Sequence, residues 1–444
     1  MNLRTKSMMK IDPSKVGLIP PHVGKGFCVY GPISDEIRQW CADNGIEIQP
    51  SDKYTNLIPP AGITVQDLFA CPEPYTYLDG FSPNLNKHLH LGHLSNLVLA
   101  KAYQSMGVAK KTVAIFGDTL TGTVPQQEAL ESFHQYCRKY GYHIDSYAFA
   151  SQMSLPEDTD LLSDGEGEYE GTKVFSVGDQ KIVGVKSGRY TTDVIKDSEG
   201  KIVGIVGRSK PLSGFHENTT YFFQDVAFAS HLNAPTLYLT GSEQVPHFAL
   251  LKNMFPHIGH IGLGLVLFNG KKLSSRNEDG TEKTEDEKRE IYAKEVMETL
   301  DGIFKDPLLS FNVLAGEILK SSPTSTKDIR VKDIADPNKS IGLYLSYTTA
   351  RMKSAGVNPE PSEKFKDMSL GYAYVKSMNT LEPHHLFNAL FKHCMNINAL
   401  YKTHRIEGNE ENHRMFSEKM ADLELGLRTL GLFSIDKIAR DTDG

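Results

Sequence analysis

The stretch YTYLDGFSPNLNKHLHLGHLSNLVLAKAYQSMG, residues 75–107, contains the pattern that decides the fold. A β-rich run over residues 75–79 comes first, and a turn with Pro83 follows it. Apolar residues then recur at helical spacing until Gly107, and a second β-rich run covers residues 112–116. A strand, a helix and a strand in this order are the building block of a parallel sheet, so we predict an α/β domain.

The same rhythm continues further along the chain, with one interruption. Residues 236–240 and 261–268 read as strands, with a helix near residues 245–255 between them. Residues 158–215 instead hold short β-rich pieces, with a hairpin-like turn at residues 197–200, and we predict a β-rich insertion there. Beyond about residue 330 the apolar spacing is helical, and it ends in a stripe over residues 416–430 closed by Gly431.

Composition places limits on function. The chain has 444 residues, a formal net charge of -7 and 23% charged residues, which is typical of an ordinary globular protein without a strong global attraction for nucleic acid. Local basic clusters lie at Lys320–Lys332 and Lys402–Arg405. The five cysteines form no Cys-x-x-Cys pair, so neither a metal site nor a disulfide framework is expected. We also expect no membrane segment, no secretory signal and a cytoplasmic location.

Residues 82–93 join the first predicted strand to the first predicted helix. Ligands of α/β sheets bind outside the carboxyl ends of the strands, and a helix N-terminus there offers free N–H groups to an anion such as triphosphate. His90 and His93 can donate hydrogen bonds to phosphate oxygens, and Gly92 lets a flat base approach the backbone. A bare His-x-Gly-His match is weak, but its position between a strand and an amphipathic helix makes it informative.

A second element, residues 270–276, follows the last predicted strand and reads GKKLSSR. Lysines on a loop can close over pyrophosphate and neutralise the charge that develops on it, and serines add hydrogen bonds. Taken alone, this element would be interpreted as a basic surface turn.

The two elements together resemble the HIGH and KMSKS signatures of class I aminoacyl-tRNA synthetases. The first corresponds to residues 90–93 and the second to residues 272–276. The longer string of Ser82, Pro83, Asn84 and Lys87 before the histidines is similar to the arginyl-tRNA synthetase form in particular. Residues 221–227 (YFFQDVA) and 240–248 (TGSEQVPHF) resemble two further segments of that family.

The resemblance implies a set of site residues. It assigns a catalytic role to His90, His93 and Lys272. It assigns ATP binding, with Mg²⁺ accompanying the nucleotide, to His90, Gly92, His93, Lys272, Ser274 and Ser275. It assigns arginine binding to Asp79, Ser82, Asn84, Lys87, Tyr221, Asp225 and Gln244. In isolation, Tyr221 and Asp225 would be interpreted as the edge of a helix.

The resemblance also implies a domain organisation. Residues 75–330 would form the Rossmann-like catalytic domain with its insertion, and residues 331–444 an all-helical domain. The segments 344–351 and 425–431 are similar to the anticodon-binding domain of the family, so tRNA is the expected partner of a monomeric enzyme. Residues 1–74 form a small N-terminal appendix, shorter than the family's tRNA-elbow domain, and no role is predicted for it.

The sequence is compatible with several functions. The main hypothesis is an arginine–tRNA ligase. The chain departs from the family in Ser95, where arginine is common, and in Asp79, where glutamate is common. A paralogue that serves a specialised pathway, an inactive tRNA-binding regulator and a small nucleotidyltransferase of the same superfamily are the alternatives. The sequence also leaves open whether the substrate is arginine or a close analogue.

Overall fold

The protein is described here by a computed structural model. It describes residues 10–12, 18–19, 26–30, 32–50, 53–118, 124–152, 159–164, 172–177, 180–186, 192–196, 202–209, 221–273, 284 and 288–438. The chain divides into two compact units. One contains residues 74–299 and 323–330, and the other contains residues 1–73, 300–322 and 331–444.

The described secondary structure alternates strands and helices in the first half of the chain and is mainly helical at its end. The strands are β1 Leu18–Ile19, β2 Phe27–Tyr30, β3 Glu47–Pro50, β4 Tyr54–Ile58, β5 Tyr75–Asp79, β6 Ala109–Phe116, β7 Ser146–Phe149, β8 Thr159–Asp164, β9 Thr172–Val177, β10 Gln180–Lys186, β11 Thr192–Lys196, β12 Ile202–Ser209, β13 Thr236–Gly241, β14 Ile258–Leu263, β15 Val266–Phe268, β16 Lys271–Lys272 and β17 Lys327–Ile329. The α-helices are α1 Asp35–Asn44, α2 Val65–Leu68, α3 Leu91–Met106, α4 Gln126–Tyr140, α5 Tyr221–Leu232, α6 Val245–Met254, α7 Ala293–Phe304, α8 Pro307–Leu319, α9 Val331–Ile334, α10 Ile341–Ser354, α11 Met368–Thr380, α12 His384–Tyr401 and α13 Glu410–Thr429.

A parallel five-stranded sheet is the centre of the first unit. Its strand order is β14-β13-β5-β6-β7, and every neighbouring pair is parallel. The chain runs from β5 through β6 to β7 on one side and returns on the other side of β5 with β13 and β14. The strand order therefore reverses between β5 and β13, and such a switch point opens a crevice at the carboxyl ends of the strands. The predicted Rossmann-like α/β fold is confirmed.

Helix α3 packs close to the sheet because the residues at their contact, Gly80 and Ala100, are small. A Cβ added at Gly80 would lie 2.7 Å from the Cβ of Ala100 on α3, so only glycine fits there. The apolar face that the sequence predicted is buried, and α3 ends at Gly107, whose φ of 75° is left-handed. This packing fixes the N-terminus of α3 at the crevice.

The predicted strand at residues 261–268 is in fact two strands, β14 and β15. Gly264 lies at the break, where an added Cβ would lie 2.1 Å from the carbonyl oxygen of Ser325. Residue Ser325 precedes β17, and β15 pairs with β17 and β16 in a separate three-stranded sheet. The chain therefore leaves the central sheet at Gly264, and this carries β16 away from β14.

Strands β8 to β12 form their own five-stranded sheet, in the order β11-β12-β10-β9-β8. Its neighbours are antiparallel except for the β10–β12 pair. The predicted β-rich insertion and the antiparallel pairing of its last two strands are confirmed. The predicted turn at residues 197–200 and the end of the insertion at residues 210–215 lie outside the described residues.

The second unit combines the N-terminal residues with the C-terminal helices. Strands β1 to β4 form an antiparallel sheet in the order β1-β2-β4-β3. Buried Trp40 of α1 and Phe69 pack in one apolar cluster with Val375 of α11, which belongs to the helical region. Lys364 and Asp67 form an ion pair of 2.5 Å at the same junction. The division of the chain into an appendix over residues 1–74, a catalytic domain over residues 75–330 and a helical domain over residues 331–444 stays a prediction.

The C-terminal helices form as the sequence predicted. The hydroxyl of Ser340 accepts the Leu343 N–H and caps α10, and the apolar stripe of α13 is buried. In the described part of the chain, the helices are too short or too polar to cross a membrane.

Candidate active site

The carboxyl end of β5 carries a buried acid. Asp79 is 7% exposed and accepts a hydrogen bond from the hydroxyl of Ser82, which in turn accepts the Ile115 N–H at 2.9 Å. Burial raises the pKa of Asp79 to about 7; the charge of Asp225 raises it as well, and the Ser82 bond opposes both. Asp79 is therefore balanced between its neutral and its ionised form near pH 7.

Asn84 lies at the end of the neighbouring strand β6. The Leu85 N–H donates to the carbonyl of Gly117 at 2.9 Å, and an added Cβ at Gly117 would lie 2.0 Å from Asn84 Oδ1. The amide of Asn84 therefore occupies the space that a side chain at residue 117 would need. Lys87, further along the same loop, has an exposed side chain.

His90 and His93 form a stacked pair at the start of α3. Their ring centroids are 3.9 Å apart, with 25° between the ring planes. The Gly92 N–H donates to His90 Nδ1, and the His90 N–H donates to His93 Nδ1, both at 3.1 Å. A ring nitrogen that accepts a hydrogen bond carries no proton, so each neutral ring has its proton on Nε2. Both histidines thus cap the helix with one nitrogen and keep the other as a donor.

Both imidazoles are neutral at physiological pH. Burial lowers the pKa of His90 to about 4, with a further contribution from the positive charge of Lys87. Burial also lowers the pKa of His93 well below its usual value, helped by His90 and Lys87. The pair can therefore donate hydrogen bonds to phosphate without contributing a charge.

The lowered pKa of His90 predicts how stability depends on pH. Between pH 6.5 and 4 the unfolded chain binds a proton at His90 that the folded protein does not, so the free energy of unfolding falls as the pH decreases through this window. His90→Asn keeps an acceptor for the Gly92 N–H and should remove part of this loss, on the order of 2 kcal/mol. Urea unfolding of the wild type and of His90→Asn, each at pH 7 and at pH 5, measures this loss of unfolding free energy. Equal pH dependence in the two proteins would contradict the assignment.

The second sequence element begins beside the first. A Cβ added at Gly92 would lie 2.9 Å from the His90 ring and 3.6 Å from Leu273 Cδ1. Leu273 directly follows β16, and Lys272 within β16 has an exposed side chain. Ser274 and Ser275 lie outside the described residues, as does Arg276. The structure therefore brings the start of the lysine element against the His-x-Gly-His turn.

A second acid, Asp225 on α5, is paired with His247 on α6. Asp225 Oδ2 and His247 Nε2 are 2.6 Å apart and form an ion pair when the imidazole is protonated. The charge of Asp225 acts on Asp79, so the two carboxyl groups belong to one electrostatic site. Tyr221 is the first residue of α5, and its side chain lies outside the described part of the structure. Gln244 is exposed at the start of α6, and no hydrogen bond joins it to Asp79 or Asp225.

His247 contacts Asp225, and Tyr238 lies beside Asp79 in the sheet, although the sequence patterns gave neither residue a role. Tyr238 lies opposite Asp79 in the parallel register of β13 and β5. The position of His247 in the first turn of a helix after a strand end was an available signal. No local signal pointed to Tyr238, because a tyrosine in a buried strand is usually part of the core.

Sequence comparisons find arginine–tRNA ligases. The chain is 29% identical to the enzyme of Leuconostoc mesenteroides over 155 residues, which cover 31% of this chain and 28% of that protein. It is 24% identical to the enzyme of Pediococcus pentosaceus over 277 residues, which cover 55% of this chain and 43% of that protein. The chain thus spans less than half the length of these curated relatives. No protein-family model matches it.

Structural comparisons find the same fold over nearly the whole chain. The arginyl-tRNA synthetases of Thermus thermophilus and Plasmodium falciparum align with TM-scores of 0.57 and 0.55. Each is 15% identical, and each alignment covers 95% of both chains.

The chain therefore has the fold of these arginyl-tRNA synthetase structures, and it places the stacked histidines at the N-terminus of α3 beside the lysine strand. In sequence the chain is similar to arginine–tRNA ligases, and in fold it is similar to arginyl-tRNA synthetases.

Proposed function

We propose that the protein activates arginine with ATP and transfers it to tRNA in the cytoplasm, acting as a monomer. The observation that carries this proposal is the combination of two neutral imidazole donors at a helix N-terminus with a pair of acids, Asp79 and Asp225, in the same unit. The first group suits a triphosphate and the second a cationic side chain.

In the first step, a carboxylate oxygen of arginine attacks the α-phosphorus of ATP. A new P–O bond forms, the bond between the α-phosphorus and the bridging oxygen breaks, and pyrophosphate leaves. Mg²⁺ bound to the nucleotide would neutralise part of the phosphate charge. His90 and His93 donate their Nε2–H groups to phosphate oxygens, and Lys272 neutralises charge on the leaving pyrophosphate. The protein thus acts mainly by positioning the reactants and by stabilising charge.

The acids select the cation. A guanidinium is planar and offers five N–H donors, so carboxylates and in-plane oxygens hold it better than they hold an ammonium group. Asp79 and Asp225 are the proposed principal ligands. The remaining proposed arginine ligands are Ser82, Asn84, Lys87, Tyr221 and Gln244.

The raised pKa of Asp79 predicts a pH-dependent affinity for arginine. A cation binds to the ionised carboxylate, and with a pKa of about 7 only about a tenth of Asp79 is ionised at pH 6. The KM for arginine should therefore be about tenfold higher at pH 6 than at pH 8. Initial charging rates at several arginine concentrations measure it, and Asp79→Asn should remove the dependence. An equally steep profile in that variant would show that another group titrates.

In the second step, a hydroxyl of the terminal tRNA ribose attacks the carbonyl carbon of the adenylate, and AMP leaves. The second unit, which contains the C-terminal helices, has a pocket of about 1050 Å³. We propose that this pocket binds unpaired bases of the tRNA. Tyr347 lines this pocket and is 46% exposed. The Arg351 guanidinium lies 4.4 Å from the ring centroid of Tyr401 and 5.8 Å from that of Tyr347. Aromatic rings and an arginine plane are the surfaces on which unpaired bases stack.

Arg351→Ala should raise the KM for tRNA about tenfold or more, because it removes a cation and a stacking surface from this pocket. The KM values for arginine and ATP should stay unchanged. Charging rates at varied tRNA concentration measure the effect. Arg414→Ala, which removes an exposed arginine from α13, is the matched control. Equal tRNA KM values for the two variants would contradict a role for this pocket in tRNA binding.

The proposed function is tested by mixing the full chain with ATP, labelled arginine and tRNA. Arginine should become acid-precipitable, with one AMP released for each arginine transferred. Transfer to an amine acceptor instead of tRNA would favour a specialised paralogue. Binding of tRNA without release of AMP would favour an inactive regulator.

A further inference from the structure

The hydroxyl of Tyr238 on β13 is a buried polar group without an evident partner. Tyr238 is 1% exposed, and among the described residues nothing makes a hydrogen bond with its hydroxyl. Leaving such a group unpaired costs about 1–3 kcal/mol. Unpaired buried groups are therefore rare in folded proteins, and each one calls for an explanation, such as a ligand that binds it.

The position of Tyr238 places it with the proposed arginine ligands. Tyr238 lies opposite Asp79 in the parallel register, so both side chains leave the sheet on the same face. The Tyr238 ring packs 5.0 Å from that of Phe248 on α6, in a cluster that also contains Val226 of α5. The ring therefore lies between the sheet and the two helices that carry Asp225 and His247.

The electrostatics agree with this position. Burial raises the pKa of Tyr238 well above 10, and the charges of Asp79 and Asp225 raise it further. The phenol therefore keeps its proton at physiological pH, and the charges of both acids act on it.

We infer that Tyr238 is a third arginine-binding group and a specificity-determining residue. Its hydroxyl oxygen accepts an N–H of the guanidinium that Asp79 and Asp225 hold, and its own proton is donated to a carboxylate oxygen. A planar guanidinium has enough donors for two acids and a phenol, whereas an ammonium group has three donors in a different geometry. This inference rests on the proposed function and deepens it.

Tyr238→Phe in the full chain tests the inference. The substitution removes an unpaired hydroxyl, so the melting temperature without ligand should be unchanged or higher. The rise in melting temperature caused by arginine should shrink, and the KM for arginine should increase about tenfold or more. The KM for ATP should not change. Tyr374→Phe on α11, in the other unit, is the control for the loss of a tyrosine hydroxyl and should match the wild type in every measurement.

Each outcome has a distinct meaning. An arginine KM within twofold of the wild type would overturn the inference, and so would a lower melting temperature without ligand combined with an unchanged arginine response. A wild-type protein that is stabilised by arginine but charges no tRNA would contradict the proposed function alone, and the smaller stabilisation of Tyr238→Phe would still support the pocket. A wild-type protein that arginine does not stabilise would contradict both.

Discussion

His93→Asn should fold normally and lose arginine charging by a factor of about 10²–10³. Asparagine places an oxygen near the position of Nδ1, so it can still accept the His90 N–H and preserve the start of α3. It has no group at the position of Nε2, and the donor to phosphate is lost. The expected loss is therefore in kcat, which is measured from charging rates at saturating arginine and ATP.

Two further variants separate the donor from the cap. His93→Gln carries an amide that reaches the Nε2 position, so it should retain more activity than His93→Asn. His231→Asn removes an exposed histidine from the end of α5 and should charge like the wild type. If His93→Asn charged at the wild-type rate, the stacked pair would be a structural cap only, and the proposed ATP site would be wrong.

Asp225→Asn should raise the KM for arginine about a hundredfold, because it leaves the guanidinium with one acid fewer in a partly buried site. Arginine titrations of charging rate measure the change. The KM for ATP should move little, since Asp225 is on α5 and the histidine pair is on α3.

The control for this substitution is Glu131→Gln, which removes the same charge from an exposed position on α4. It should leave both KM values unchanged. An arginine KM for Asp225→Asn within twofold of the control would mean that the Asp225–His247 pair serves only to hold α5 against α6.

The local parts of the fold could be predicted from the sequence. Strand β5, helix α3 and its end at Gly107 follow from a β-rich run, an apolar repeat and a glycine, and all three are short-range signals. The break between β14 and β15 could not be predicted, because it depends on the backbone of Ser325, which is distant in sequence from Gly264.

In the candidate site too, features with short-range signals could be predicted and features that depend on long-range packing could not. The histidine turn was predictable because its residues are contiguous and its position between strand and helix is meaningful. The pairing of Asp225 with His247 and the register of Tyr238 opposite Asp79 depend on how separate elements pack. The packing of Val375 against Trp40 and Phe69 could not be predicted either, because no local pattern in either segment indicates that the two are in contact. Tertiary packing decides all three.

The most direct test of the central claim is aminoacylation of total tRNA with each of the twenty labelled amino acids, using the wild-type protein and His93→Asn in parallel. The proposed function predicts that arginine alone becomes attached to tRNA, and that this charging is lost in the variant. Charging with a different amino acid, or no charging by a folded protein that binds tRNA, would contradict it.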